Sequence, residues 1–162
     1  MQVFRAECQT SHVARLNVLK VLEQERDPRV IAFMLSTVVD TQEPLEIRSH
    51  IVKWLRTTSV SSVPRASVAN ALLQILTGRA EPALRVESAV ALAEYTDVPG
   101  VSAIFGCLTL DTDEPLDLRY CAFTALERIG PTPECVGLIR RLVSDDELGP
   151  ASRSLLLTWH LD

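Results

Sequence analysis

The segments DTQEPLEIR (residues 40–48) and DTDEPLDLR (residues 111–119) are two copies of one pattern in this 162-residue chain. Each begins with an aspartate, has a proline four residues later and ends with an arginine four residues after the proline. Proline is tolerated in the first turn of a helix, where its missing N–H would have no partner in any case. The pattern therefore predicts a turn that ends one helix and starts the next.

Prolines in the same role recur along the chain in two series. We call the first helix of each predicted pair the A helix and the second the B helix. Prolines that start A helices are expected at 28, 64, 99 and 133, and prolines that start B helices at 44, 82, 115 and 150. Asp27 and Thr132 stand directly before a proline, where a side-chain oxygen is suited to cap the helix. The chain is therefore predicted to alternate between A and B helices.

A recurring arginine sets the register of the B helices, at positions 15, 48, 85, 119 and 153. Residues three, four and seven positions after each arginine are mostly apolar, as at Val52, Phe123 and Leu157. At the α-helical period these offsets lie on one face, which is the buried face of an amphipathic helix. The fold class is therefore all-α. We expect a single domain, 1–162, with a leading B-type helix at about 10–25 and helix pairs at about 28–58, 64–97, 99–130 and 133–161.

Acidic residues stand eight positions before most of these arginines. The residues at this position are Glu7, Asp40, Thr77, Asp111 and Asp145. Each carboxylate is expected to meet its arginine across the turn, and stacked pairs would form a ladder of hydrogen bonds within and between neighbours. Thr77 interrupts this ladder, so Arg85 is expected to find another partner. The predicted ladder consists of Asp40, Arg48, Arg85, Asp111, Arg119, Asp145 and Arg153.

This combination of acid, proline, arginine and apolar offsets resembles HEAT repeats, and in particular the short bacterial HEAT-like repeats that are also found in bilin lyases. The resemblance extends over nearly the whole chain. It implies a right-handed α-solenoid of about four and a half helix pairs, with the B helices on the concave side. It also implies that the chain binds other proteins.

Composition and motifs exclude several functions. The net charge of −5 disfavours nucleic-acid binding, including the base-excision role of some HEAT-like proteins. No apolar run approaches the ~18 residues of a membrane span, and the first residues do not resemble a signal peptide, so a cytoplasmic location is expected. The cysteines form no CxxC motif, and Cys107 is expected to be a small buried residue. Because no catalytic or metal-binding motif is present, no catalytic residue, metal or cofactor is expected.

The polar face of the B helices is the candidate partner surface, and its alternative is an ordinary solvated face. This polar stripe comprises Lys20, His50, Lys53, Glu87, Glu94, Thr124 and Arg128. The predicted function is a non-enzymatic protein-interaction or scaffold module. The alternative is a subunit of a HEAT-like lyase that acts on a bilin or related tetrapyrrole. That alternative requires an acid and a histidine to converge, and His50 and Glu87 are the candidate pair.

The last predicted helix is strongly apolar. Counted from its arginine at position 153, Leu155 and Leu161 lie at positions that are expected to face solvent. An exposed apolar patch indicates an interface. The patch could contact a partner, mediate self-association or continue into a longer array, and the sequence leaves these three open. Trp54 and Trp159 occupy an offset that is apolar in the other copies and are expected in the core.

Overall fold

The computed structural model of the chain describes residues 12–25, 27–57 and 64–161. In these residues all regular structure is helical, which confirms the all-α prediction for this part of the chain. Glu7 and Cys8 lie outside the described residues. The helices are α1 (His12–Leu22), α2 (Pro28–Val39), α3 (Leu45–Thr57), α4 (Arg65–Thr77), α5 (Pro82–Leu92), α6 (Val101–Leu110), α7 (Leu116–Ile129), α8 (Pro133–Arg141) and α9 (Gly149–Thr158), and a 3-10 turn, Ala93–Tyr95, follows α5.

The predicted proline and capping signals start most of these helices. Helices α2, α5 and α8 begin at their proline, and α3, α4 and α7 begin one residue after it. Asp27 accepts a hydrogen bond of 2.8 Å from the Arg29 N–H, and the Thr132 hydroxyl accepts one of 3.2 Å from the Cys135 N–H. Both predicted N-caps are therefore confirmed. Hydrogen bonds from the Arg29 side chain and backbone also lower the pKa of Asp27 to about 2.

Helix α6 begins furthest from its predicted proline, and α9 begins one residue before Pro150. The first residue of α6 is Val101, two residues after Pro99, and its N-cap is Gly100. Gly100 has a φ of 88°, a left-handed conformation that glycine adopts without the steric penalty of a side chain. The glycine rather than the proline therefore sets the start of this helix.

The chain divides into two compact units, Met1–Ala91 and Leu92–Asp162. In the first unit α2 packs against α3 and α4, and α1 packs against α3. In the second unit α6 packs against α7 and α8, and α8 packs against α9. Each unit has its own buried apolar side chains, such as Met34 and Leu72 in the first and Phe105 and Leu126 in the second.

The last helix departs from the predicted register of the B helices. Val52 and Phe123 are buried as predicted, but Leu157 at the same offset is 60% exposed. Leu155, which was expected to be exposed, is buried, and so that prediction is wrong. Residues 155 and 157 lie about 200° apart around the helix, so the face that buries Leu155 leaves Leu157 in solvent. Leu161 is partly exposed.

Two further burial predictions have different outcomes. Trp54 is in the core as expected, whereas Trp159 is only partly buried. Cys107 is exposed, so the expectation that it is buried is wrong. Helix α6 buries Phe105, and residue 107 is about 200° further round the helix, on the opposite face.

Candidate functional site

The recurring arginines fasten each B helix to the end of the preceding A helix. Each donates to a backbone carbonyl in or just beyond the last turn of that helix, where carbonyls have no partner within the helix. The contacts are Arg48 Nε to Val38 O (2.9 Å), Arg85 Nε to Leu76 O (2.8 Å), Arg119 Nε to Thr109 O (3.2 Å) and Arg153 Nη1 to Val143 O (2.6 Å). These arginines therefore cap the A helices.

The aspartates of the same turns bind backbone N–H groups instead of the arginines. The Asp40 side chain accepts from Gln42 N, Asp111 accepts from Asp113 N, and Asp145 accepts from Glu147 N and Leu148 N, all at 2.9–3.0 Å. The structure does not bring Asp40 to Arg48, Asp111 to Arg119 or Asp145 to Arg153. Carboxylates satisfy nearby turn amides in this way because those donors lie only two or three residues further along the chain.

Two of the recurring arginines pair closely with an acid from the next turn along the chain. Arg119 Nη2 lies 2.5 Å from Asp145 Oδ2, and Arg15 pairs with Glu43 in the same manner. Burial raises the pKa of Asp145, but the hydrogen bonds from Leu148 N–H, Arg119 and Glu147 N–H together outweigh it and lower that pKa. Of the expected ladder, the structure therefore shows a contact between neighbouring turns at Arg119 and Asp145.

The interruption of the ladder lies one residue later than the sequence register predicts. In the other turns the carbonyl bound by arginine is two residues before the aspartate. Arg85 binds the carbonyl of Leu76, so the equivalent position is Gly78 rather than Thr77. The stretch from Gly78 to Arg85 is one residue shorter than the stretch from each aspartate to its arginine in the other turns. The Thr77 hydroxyl donates to the Leu73 carbonyl of its own helix at 2.8 Å.

Charged residues of the polar stripe pair across consecutive B helices. In the first unit His50 Nε2 lies 2.5 Å from Glu23 Oε1, and Lys53 Nζ lies 3.1 Å from Glu87 Oε1. In the second unit both Nη atoms of Arg128 donate to Glu94 Oε1 at 3.0 Å. Lys20 and Thr124 are exposed, and the Thr124 hydroxyl donates to the Cys121 carbonyl. Most charges of the stripe are therefore compensated within the chain.

The candidate acid–histidine pair of the lyase alternative is not brought together. His50 contacts Glu23, and Glu87 contacts Lys53. Each side chain of the pair therefore has a different ionic partner, and the lyase alternative stays a prediction.

A groove of about 280 Å³ lies between α7 and α9 in the second unit. Its walls are Tyr120, Phe123, Thr124 and Glu127 from α7 and Ala151, Ser154, Leu155 and Thr158 from α9. Of the predicted stripe only Thr124 lines this groove. Sequence reasoning missed Glu127, although the i, i+4, i+7 spacing of residues 120, 124 and 127 indicates a shared helix face.

A second cavity, of about 220 Å³, lies in the first unit beside the turn that follows α4. Its lining residues are Val39, Thr41, Arg48, Gln74, Ile75, Gly78, Arg79 and Ala80. Arg48 was predicted only as a structural residue, and Arg79 was not singled out. No periodicity relates these positions, because the cavity is formed by two turns that are distant in sequence.

Comparison with protein-family models, with curated proteins and with solved structures finds no match to this chain. Within the described ranges, no three His, Cys, Asp or Glu side chains converge to hold a metal ion. None of the helices described above is long and apolar enough to cross a membrane.

Proposed function

We propose that this chain is a cytoplasmic solenoid of HEAT-like helix pairs that binds another protein and performs no catalysis itself. The five registered arginines and the alternating helices support the repeat assignment. Cys107, Cys121 and Cys135 are free thiols, as is usual in a reducing compartment.

The groove between α7 and α9 is the observation that carries the interaction function. Phe123 and Leu155 line the groove but are each only 5% exposed, whereas Tyr120 is 41% exposed and supplies an aromatic side chain of the type enriched in interfaces. A groove whose walls are helical is preformed, so little ordering entropy opposes binding. A partner segment with an apolar side chain therefore fits this surface.

Charge indicates what else that segment carries. Residues 92–162 contain five Lys and Arg against twelve Asp and Glu, whereas residues 1–91 contain eleven against nine. Glu127 adds a carboxylate to the groove wall. Because complementary charge directs association and selects partners, the segment should carry Lys or Arg beside its apolar residue.

The polar stripe has a different role in this proposal from the one that the sequence favours. Lys53, Glu87, Glu94 and Arg128 are already engaged in ion pairs between helices. A partner that used these charges would have to replace the existing pairs, so the stripe contributes less to binding than the groove. Thr124 is the stripe residue that belongs to the proposed surface.

The test is a pull-down from native cell extract with the full chain as bait, compared with a Tyr120→Ala/Glu127→Lys variant. The exposed Glu134 on α8 provides a matched control, Glu134→Lys, with the same change of charge in the same unit. We expect a partner that the wild type and Glu134→Lys retain and the groove variant loses, with cross-links that place a basic segment at the groove. Retention by all three baits would exclude the groove, and no specific partner on the wild type would remove support for the function.

A further inference from the structure

The cavity beside the turn after α4 contains a buried guanidinium, and we call it the Arg48 cavity. Arg48 is only 4% exposed and lines this cavity of about 220 Å³. It is separate from the proposed partner groove, which belongs to the other unit. A buried cation requires hydrogen bonds and a counter-charge, because taking it out of water is costly.

Among the residues that the structure describes, no carboxylate makes a close hydrogen bond with the Arg48 guanidinium. Its Nε donates to the Val38 carbonyl at 2.9 Å. Its nearest carboxylate, on Glu81, lies 3.8 Å from Nη1, and the Glu81 side chain is 54% exposed. Charge-assisted hydrogen bonds between guanidinium and carboxylate are ≈ 2.7–2.9 Å long. The Glu81 carboxylate is therefore too far away to form a charge-assisted hydrogen bond with Arg48.

A second guanidinium and a glycine line the same cavity as Arg48. Arg79 lines the same cavity with an exposed side chain, and no residue that the structure describes pairs with it. Gly78, which also lines the cavity, stands where the other turns carry aspartate. A Cβ at Gly78 would approach the Gln74 carbonyl oxygen to 2.7 Å, so this backbone does not hold a side chain without a shift.

We propose that the Arg48 cavity binds a carboxylate between the guanidinium groups of Arg48 and Arg79. The chain itself indicates the ligand class, because equivalent arginines bind carboxylates: Arg119 binds Asp145 and Arg15 binds Glu43. The Thr41 hydroxyl and the Gln74 amide are further donors in the cavity wall. The volume is below the ≈ 300–1,000 Å³ of drug-sized ligand sites, so the carboxylate belongs to a small molecule or to one acidic residue of a peptide.

The test follows the Nε–H signals of Arg48 and Arg79 by NMR in the full chain. Succinate and a short acetylated peptide with two aspartates are titrated separately, with inorganic phosphate and chloride as comparison anions. We expect saturable shifts of both arginine signals with succinate, with the peptide or with both, and the two arms distinguish a free carboxylate from a protein partner. No saturable shift with either carboxylate, or binding of phosphate alone, would overturn the proposal.

Two pairs of variants locate the binding. Arg79→Gln should weaken carboxylate affinity about tenfold or more, because a charge-assisted hydrogen bond is lost. Arg56→Gln, an equal change at an exposed arginine of the same unit outside the cavity, should leave affinity unchanged. Unchanged affinity in Arg79→Gln would also overturn the proposal.

Gly78→Asp tests whether an internal carboxylate can replace the ligand. Gly78→Asn is its control, because both side chains meet the Gln74 carbonyl and only aspartate adds a charge. We expect the aspartate variant to lose succinate binding and the asparagine variant to retain it. If the asparagine variant loses binding as well, the Arg79→Gln and Arg56→Gln comparison decides. The NMR signals report on the Arg48 cavity alone. Failure of carboxylate binding there would therefore leave the proposed partner binding at the groove, which the pull-down tests, unaffected.

Discussion

Arg48 and Arg119 occupy equivalent positions in their B helices and differ in their counter-charge. Both are 4% exposed and both donate to the carbonyl ten residues earlier. Arg119 has Asp145 at 2.5 Å with a side chain that is 13% exposed, whereas Arg48 has Glu81 at 3.8 Å and largely in solvent. The comparison shows that the carbonyl bond accompanies burial in both turns, while the ion pair varies from turn to turn.

Replacing the two arginines by methionine should give the largest effect and the clearest contrast. Arg119→Met removes the side-chain donor to the Thr109 carbonyl and the cation that faces the poorly exposed Asp145 carboxylate, so we expect a loss of about 4 kcal/mol. Arg48→Met mainly leaves the Val38 carbonyl without its hydrogen-bond donor, so we expect the free energy of unfolding to fall by about 2 kcal/mol. Urea unfolding of the full chain measures both values. Equal losses would show that the counter-charge of Arg119 contributes nothing.

Asp145→Asn isolates the ion pair from the turn. Asparagine keeps an oxygen for the Leu148 and Glu147 N–H groups but loses the charge that faces Arg119, so we expect a cost of about 2 kcal/mol. Asp111→Asn is the matched control, because Asp111 makes the same kind of turn contact to Asp113 without an arginine. The control should change the free energy of unfolding by less than about 0.5 kcal/mol. A comparable cost in both variants would assign the effect to the turn.

The contrast between wild type and Asp145→Asn should depend on pH. The pKa of Asp145 is lowered in the folded state, so its contribution is complete above the unfolded pKa of about 4 and is lost as the pH falls through the folded pKa. The difference in unfolding free energy between the two proteins should therefore shrink as the pH falls from 5 towards 3. Urea titrations at several pH values test this, and a difference that stays constant or grows would contradict it.

Glu81→Gln should give the smallest effect. Its 3.8 Å contact with Arg48 is long and its side chain is largely solvated, so we expect a change within about 0.5 kcal/mol. Glu43→Gln provides the comparison, because Glu43 also precedes the proline of a B helix but pairs closely with Arg15 in a less exposed setting. That variant should lose about 1 kcal/mol in the same urea assay. A larger loss at Glu81 than at Glu43 would reverse the ranking of the two turns.

Helix positions and caps were predictable because their signals are local. A proline or a short polar side chain acts within one turn of its own position, so Asp27, Thr132 and the starts of α2, α5 and α8 follow from the sequence. The start of α6 did not follow, because Gly100 takes a left-handed conformation that no neighbouring residue indicates.

The sequence predicted where the recurring arginines lie but not which groups they bind. Their main acceptor is a backbone carbonyl, and every residue has one, so a sequence pattern cannot distinguish it. The aspartates eight residues earlier suggested a charged pair, yet Asp40 and Asp111 bind turn amides. A fixed spacing also placed the interruption at Thr77, because a one-residue shortening of the turn before Arg85 is not visible in residue types.

Parts of the candidate site depended on packing and so escaped the sequence. The apolar periodicity predicted burial at Leu157, but α9 buries the face that carries Leu155 instead. The polar stripe was read as a free surface, whereas Lys53 and Glu87 lie 34 residues apart and neutralise each other. The Arg48 cavity joins Thr41 to Arg79, and only the tertiary structure brings these turns together.

The bond from arginine to carbonyl has an evolutionary consequence. Because the acceptor belongs to the main chain, substitution of the turn residues does not remove it. Arg85 donates to a carbonyl nine residues earlier, whereas Arg48 and Arg119 donate to carbonyls ten residues earlier. The hydrogen bond between the two helices therefore also tolerates a change in turn length. The residues between an A helix and its arginine are thus free to diverge while the helices remain fastened, and new binding chemistry can arise there without remaking the scaffold.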